Sequence, residues 1–280
     1  MSHKKVGIRL KKILASACEL GEGLWVKSAK AAWVDINKDQ LLVCEESIFK
    51  HHSTSNKPSI VYRFKEHEVI LGTDKGLTVF NIQTKHETLL CDVSDKHNIK
   101  DYRSNDGGFC GNHQLLSFMH RADPVDNLGF VYRVSGESFV LLDDSLHIPN
   151  SFIEIEPSKI LISDSLKGQI WLYQLDDVGN LVEKTLWAQL EPGISPDGGC
   201  VVGDFVFVAL WDGASIAVFD KSGTLLKNLS LPIIRPTNCK YDAVLSQLWV
   251  TSASEGLYKE KLSLYPLSGN TFVYDLELRS

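Results

Sequence analysis

Four short segments of the chain carry residue types suited to chemistry. They are Leu20-Gly21-Glu22-Gly23, Arg103-Ser104-Asn105-Asp106-Gly107, His147-Ile148-Pro149-Asn150 and Ser195-Pro196-Asp197-Gly198. If they converge, Glu22 and Asp197 supply carboxylates, and Asn105 and Asn150 supply amide side chains. An oxygen-rich set of this kind suits a hard divalent cation such as Ca²⁺, Mg²⁺ or Mn²⁺, and Zn²⁺ also fits it. With about three protein ligands, positions stay open for water and substrate, which marks a catalytic rather than a structural ion. Spacing alone leaves a second reading open, because N-D-G and P-D-G are also common turn sequences.

Convergence needs a fold that brings distant segments to one point. Helical periodicity is nearly absent, and short β-rich runs bounded by Gly, Asp, Asn or Ser recur instead. Ile160-Leu161-Ile162-Ser163-Asp164 is followed by Lys167-Gly168 and then Gln169-Ile170-Trp171-Leu172-Tyr173. Phe205-Val206-Phe207-Val208-Ala209 is followed by Asp212-Gly213 and Ser215-Ile216-Ala217-Val218-Phe219. Runs of this shape, read as the first strands of successive units, sit near positions 34, 71, 117, 162, 207 and 250. A spacing of roughly 40–46 residues is that of propeller blades. Six units fill the chain, which predicts an all-β, six-bladed β-propeller of one domain over residues 1–280. A four-stranded blade cannot bury its own faces, whereas blades stacked around an axis bury one another. The alternating segments Val6-Gly7-Ile8-Arg9-Leu10 and Thr271-Phe272-Val273-Tyr274-Asp275-Leu276 are the candidates to close the ring within one blade. A β-sandwich with a second domain is the alternative, but the Ser/Asn/Pro stretch at 51–58 is too short and too early for a linker. In a propeller the four polar segments would be loops ahead of the innermost strands, meeting at the axis.

The net charge of −6 leaves no basic stripe to neutralise phosphates, so nucleic acid is not an expected partner. Lys4-Lys5 and Lys11-Lys12 read as a solvated edge. No apolar run approaches the roughly 20 residues needed to span a bilayer, and the N-terminus lacks the apolar core of a secretory signal. The six cysteines, Cys18, Cys44, Cys91, Cys110, Cys200 and Cys239, are scattered without a C-x-x-C and read as reduced, mostly buried thiols. These features together predict a cytoplasmic protein without membrane contact, monomeric or weakly dimeric.

The motifs resemble those of the senescence marker protein/regucalcin/gluconolactonase family. Leu20-Gly21-Glu22-Gly23 precedes Trp33-Val34-Asp35-Ile36, Arg103-Ser104-Asn105-Asp106-Gly107 matches R-x-N-D-G, and Asn150 precedes Ile162-Ser163-Asp164-Ser165. Pro196-Asp197-Gly198 leads into Ala217-Val218-Phe219-Asp220. Arg235-Pro236-Thr237-Asn238-Cys239 with Leu248-Trp249-Val250-Thr251-Ser252-Ala253 is the most specific match. The resemblance runs from about residue 14 to about 272. It implies a propeller lactonase with one divalent ion, Ca²⁺ first and Zn²⁺, Mg²⁺ or Mn²⁺ as alternatives, held by Glu22, Asn150 and Asp197. By the same resemblance Arg103 and Asn105 contact a small sugar-type lactone. The ion would polarise the lactone carbonyl and acidify a water, and Asp197 would accept the proton. The alternative within the family is a non-catalytic propeller that binds calcium or sugar, and a third reading is a scaffold using its outer face.

The chain departs from the family in three places, one of them Phe109-Cys110-Gly111-Asn112-His113, where the family has an Asp-Pro-x-Gly turn. Leu24 follows Gly23 where the family has proline, and Met119 is followed by His120-Arg121-Ala122-Asp123 where some members place a substrate-contacting glutamate. His120 is therefore the candidate replacement on the substrate wall. His147 reads as a turn residue and His51-His52 as solvated loop. Trp33, Trp171 and Trp249 read as inter-blade core, with Trp211 and Asp212 nearer a channel mouth.

Overall fold

The computed structural model describes residues 5–46, 48–96 and 99–279. Its β-strands form six four-stranded antiparallel sheets arranged as a six-bladed β-propeller. Five blades run through consecutive strands, with innermost strands Gly21–Lys27, Pro58–Lys65, Tyr102–Cys110, Pro149–Glu156 and Ser195–Val202. The sixth begins with Pro236–Asp242 and Gln247–Ser252, then takes Thr271–Arg279, and is completed by Lys5–Leu14 from the other end of the chain. The closing pair is antiparallel from Val6 opposite Leu278 to Leu14 opposite Thr271, as the alternating termini predict. Lys4 lies outside the described residues, while Lys11 pairs with Asp275. One short helix, Lys259–Leu264, interrupts the sixth blade. No helix among the described residues is long and apolar enough to cross a membrane.

The apolar runs near 34, 71, 117, 162, 207 and 250 are the second strand of each blade rather than the first. They read as unbroken apolar stretches because successive side chains enter opposite seams. Phe207 packs toward blade 6 with Val250, and Val208 toward blade 4 with Leu161. Ile162, next to Leu161, turns to blade 3 and meets Leu115. Val34 and Leu71 fill the seam between blades 1 and 2, and Tyr62 and Phe118 that between blades 2 and 3. Every seam thus has its own apolar cluster, while outermost strands such as Leu225–Ser230 are largely exposed.

Trp33, Trp249 and Val273 fill the seam where the ring closes between blades 6 and 1, and Trp171 packs at the seam between blades 3 and 4. Trp33 is fully buried. Replacing it by alanine is expected to cost about 3–5 kcal/mol, read by urea unfolding, with a proportionate loss in the closure seam. A variant within about 1 kcal/mol of wild type would mean that the seam collapses around the gap. His51 and His52 correct the loop expectation. They belong to the outermost strand Ile48–Ser53, where His52 is buried against Phe80 and held by Lys85.

Candidate functional site

All six innermost strands lose register with their neighbours near the same depth. The breaks fall between Glu22 and Trp25, Pro58 and Ile60, Ser104 and Gly107, Asn150 and Ile153, Pro196 and Gly199, and Pro236 and Asn238. A bulge frees residues from the ladder and re-aims their side chains. The polar segments predicted as loops are therefore the opening residues of the innermost strands, and the bulges explain their Gly and Pro content. Close packing at the axis leaves no room for a side chain at several of these glycines, Gly23 and Gly198 among them. A Cβ on Gly23, at φ +60°, would lie 2.3 Å from the Ser59 carbonyl oxygen, and one on Gly198 would lie 2.2 Å from Asn238 Nδ2.

Glu22, Asn105, Asp106, Asn150 and Asp197 are all buried at the axis. Asn150 Nδ2 donates to Asp197 Oδ1 at 2.6 Å, and the Gly198 N–H donates to the same oxygen at 3.0 Å. The Gly23 N–H donates to Glu22 Oε2 at 3.0 Å, and the Ser151 N–H to Asn150 Oδ1 at 2.9 Å. Arg103 Nη1 donates to Asn105 Oδ1 at 2.8 Å and to the Ser104 carbonyl at 3.0 Å, while Asn105 Nδ2 donates to the Pro149 carbonyl. Backbone N–H groups and neighbouring side chains thus fix both carboxylates and both amides.

The electrostatics are those of buried acids crowded at one point. Burial, then the neighbouring charges of Asp197 and Asp106, push the Glu22 carboxyl well above the usual range. Burial, then Asp106, push Asp197 up to about 8. Asp106 rises to about 6 through burial, although Lys240 opposes the shift. One oxygen of Asp106, Oδ2, is buried with no hydrogen-bond partner. Burial also lowers Arg103, against the pull of Glu255 and Glu22. Three buried acids crowded together repel one another when ionised, and a divalent cation among their oxygens would relieve that repulsion. The donor chemistry therefore fits a hard cation, with Glu22, Asn150 and Asp197 as the groups that could hold it. Among the described residues no group of three His, Cys, Asp or Glu side chains is arranged for a metal; the set here is two carboxylates and an amide.

Above these groups lies a cavity of about 250 Å³, with Arg103, Asn105, Met119, Trp211 and Glu255 in its wall. A family model described as SMP-30/Gluconolactonase/LRE-like region matches residues 20–254, the span that builds the channel. The chain belongs to this family. L-arabinolactonase of Azospirillum brasilense is 26% identical over 269 residues, covering 91% of this chain and 87% of the relative. A calcium-binding protein, regucalcin, from Agrobacterium tumefaciens has the same fold, with a TM-score of 0.87 at 20% identity over 97% of this chain and 95% of that one. A gluconolactonase from Xanthomonas campestris matches with a TM-score of 0.70 at 16% identity over 97% and 95%.

Within this family frame the sequence-predicted residues separate. Glu22, Arg103, Asn105, Asn150 and Asp197 share one cavity. His120 is not in its wall, although Met119 is. Its Nδ1 accepts the Asp123 N–H at 2.9 Å, and its ring packs edge-on against Tyr102 at 5.2 Å. His147 likewise turns away, pairing with Asp164 at 2.9 Å, and Asp164 also accepts the N–H groups of 147 and 148. Asp106 and Asn238, whose turn-like motifs hide any role in the sequence, both lie buried beside the site. Trp211 is in the cavity wall, capped by the Arg235 guanidinium 4.6 Å from its ring centre. Arg235 is fixed by Asp212 and the Glu255 carbonyl, tying the rim together. Asp212 thus serves the rim through Arg235.

Proposed function

We propose that this chain hydrolyses a small sugar-type lactone with one divalent ion held by Glu22, Asn150 and Asp197. Ca²⁺ is the first candidate, with Zn²⁺, Mg²⁺ and Mn²⁺ as alternatives. The observation that carries the reading is the pair of buried carboxylates, Glu22 and Asp197, at the floor of a cavity walled by Arg103 and Asn105. The relative named L-arabinolactonase, similar over nearly the whole chain, supports a lactone as substrate. When bound, a divalent cation supplies Lewis acidity toward the ring carbonyl.

The chain's own residues do the rest. Asp197, already accepting from Asn150 and Gly198, takes the proton of the attacking water as general base. Asn105, held by Arg103 and Pro149, orients the ring from one side. Arg103 spends Nη1 on Ser104 and Asn105 and presents its remaining guanidinium edge to sugar hydroxyls or to the carboxylate that forms. Burial of Glu22, Asn105, Asn150 and Asp197 lowers the local dielectric and strengthens their charge-bearing contacts. Replacing Arg103 by alanine is expected to raise KM at least about tenfold with a smaller fall in kcat, the pattern of lost substrate binding.

The second reading, a propeller that binds calcium or sugar without turnover, is favoured by one observation. His120, the residue in place of the family's substrate-contacting glutamate, is held against Tyr102 rather than in the cavity wall. Acid release from a panel of γ- and δ-lactones, followed with a pH indicator in the presence of each divalent ion, separates the two. Turnover of at least one aldonolactone supports hydrolysis. Ion or sugar binding without turnover of any lactone supports the second reading.

A further inference from the structure

The far end of the channel holds a different chemical grouping. A cavity of about 450 Å³ there is lined by the later residues of the same innermost strands, among them Trp25, Tyr62, Phe109, Cys200, Lys240 and Tyr241. Cys200 lies on the innermost strand of blade 5, and Cys239 on that of blade 6, and these two strands pack side by side. Cys200 pairs in the sheet with Phe207, and Cys239 Sγ reaches the Phe207 carbonyl oxygen at 3.8 Å. Both side chains pack in the same apolar cluster at the seam between blades 5 and 6. Of the six cysteines Cys200 alone is partly exposed, the other five being buried. Lys240 is anchored beside it, its Nζ donating to the Gly199 carbonyl at 2.7 Å.

We propose that Cys200 and Cys239 form a reversible disulfide that cross-links blades 5 and 6 when a peroxide enters the far mouth of the channel. The Cys200 thiolate attacks one peroxide oxygen, the O–O bond breaks, and Cys200 becomes a sulfenic acid with release of hydroxide. The Cys239 thiol then displaces the sulfenic hydroxyl. An S–S bond forms, the S–O bond breaks, and the Cys239 proton leaves with the hydroxyl as water. In total two thiols and one hydrogen peroxide give one disulfide and two waters, the sulfurs being oxidised and the peroxide oxygens reduced. A dithiol reductant reverses the step by exchange. The environment assigns the order. The Cys239 thiol, Lys240 and the Tyr241 N–H hold the Cys200 thiol below its ordinary range, whereas burial and the neighbouring Cys200 raise Cys239. A low thiol beside a resolving thiol and a cation is the arrangement that favours thiolate attack. The cross-link joins the strand carrying Asp197 to the strand carrying Asn238, so it would also stiffen the floor of the upper site.

The test treats the whole protein with hydrogen peroxide, blocks remaining thiols with an alkylating agent, and maps peptides without reduction. The expected result is a peptide pair linked through Cys200 and Cys239 that disappears with dithiothreitol. In Cys239→Ser the resolving thiol is absent, and dimedone is expected to capture a sulfenic acid at Cys200. Cys200 is expected to react at least about 10-fold faster than the other thiols, because its surroundings favour the thiolate. Two outcomes would overturn the proposal: oxidation that yields no peptide pair linked through Cys200 and Cys239, with Cys200 reacting no faster than the buried cysteines, or Cys239→Ser leaving Cys200 unlabelled by dimedone.

Discussion

Replacing Asp197 by asparagine is expected to lower lactone hydrolysis by about 10²–10⁴-fold, the range for loss of a positioned general base. The shape of the side chain is kept, so Asn150 and Gly198 retain a partner, but the group can no longer accept a proton. Loss of a ligand to the ion adds to the effect. The same substitution removes one of three crowded acids. The metal-free variant is therefore expected to melt no lower than metal-free wild type. Rate loss without stability loss distinguishes a working residue from a merely structural one. Steady-state kinetics on the most active lactone, with melting curves on the same preparations, checks both halves. Full activity in this variant would remove Asp197 from the mechanism.

Protein stripped of metal by chelator is expected to lose stability steadily as pH rises from about 4 to about 8. The sign follows from linkage. Burial raises Asp197 in the folded state from 3.8 to about 8. Below 3.8 both states carry the proton. Between the two values the folded state holds a proton that the unfolded state has released, so stability falls with pH, by up to about 1.4 kcal/mol per pH unit for one such group. Above 8 the loss is complete. Glu22 acts in the same direction, and Asp106 adds to it between 3.8 and about 6. A saturating divalent ion should reverse the trend, because ligands that have already lost their protons bind it more tightly at higher pH. An ion at 100 times its Kd adds about 2.7 kcal/mol. Thermal melts from pH 5 to 8.5, with and without chelator, give the comparison. A metal-free Tm that stays flat across that range would show that the channel acids are not held as described.

The legible parts of this chain were those where burial on both faces writes a continuous apolar run. Phe205–Trp211 and its counterparts stood out for that reason, and their spacing gave the blade count. The ring closure was also legible, since both termini alternate. The innermost strands were not. Gly21–Lys27 and Ser195–Val202 open with Gly, Pro and acidic residues, which disfavour strands and signal turns. They are strands nonetheless, because bulges absorb those residues at the axis, and this one fact moved the site from loops into the channel wall. His51 and His52 misled for a similar reason: polar residues on an exposed outer strand look like loop. Asp106 is hidden in the sequence because N-D-G is equally a turn motif. Only its burial and its unpartnered oxygen reveal it as a third acid in the channel. His120 was placed by its position after Met119, and the Asp123 and Tyr102 contacts that hold it are invisible in sequence.

The most direct measurement is calorimetric titration of Ca²⁺ into chelator-treated protein, wild type beside Glu22→Gln and Asp197→Asn. One equivalent is expected to bind wild type, with affinity reduced at least about 10-fold in either variant, as loss of a charged ligand entails. Binding of one equivalent undiminished in both variants, or no binding of Ca²⁺, Zn²⁺, Mg²⁺ or Mn²⁺ to wild type, would contradict a metal centre at Glu22, Asn150 and Asp197.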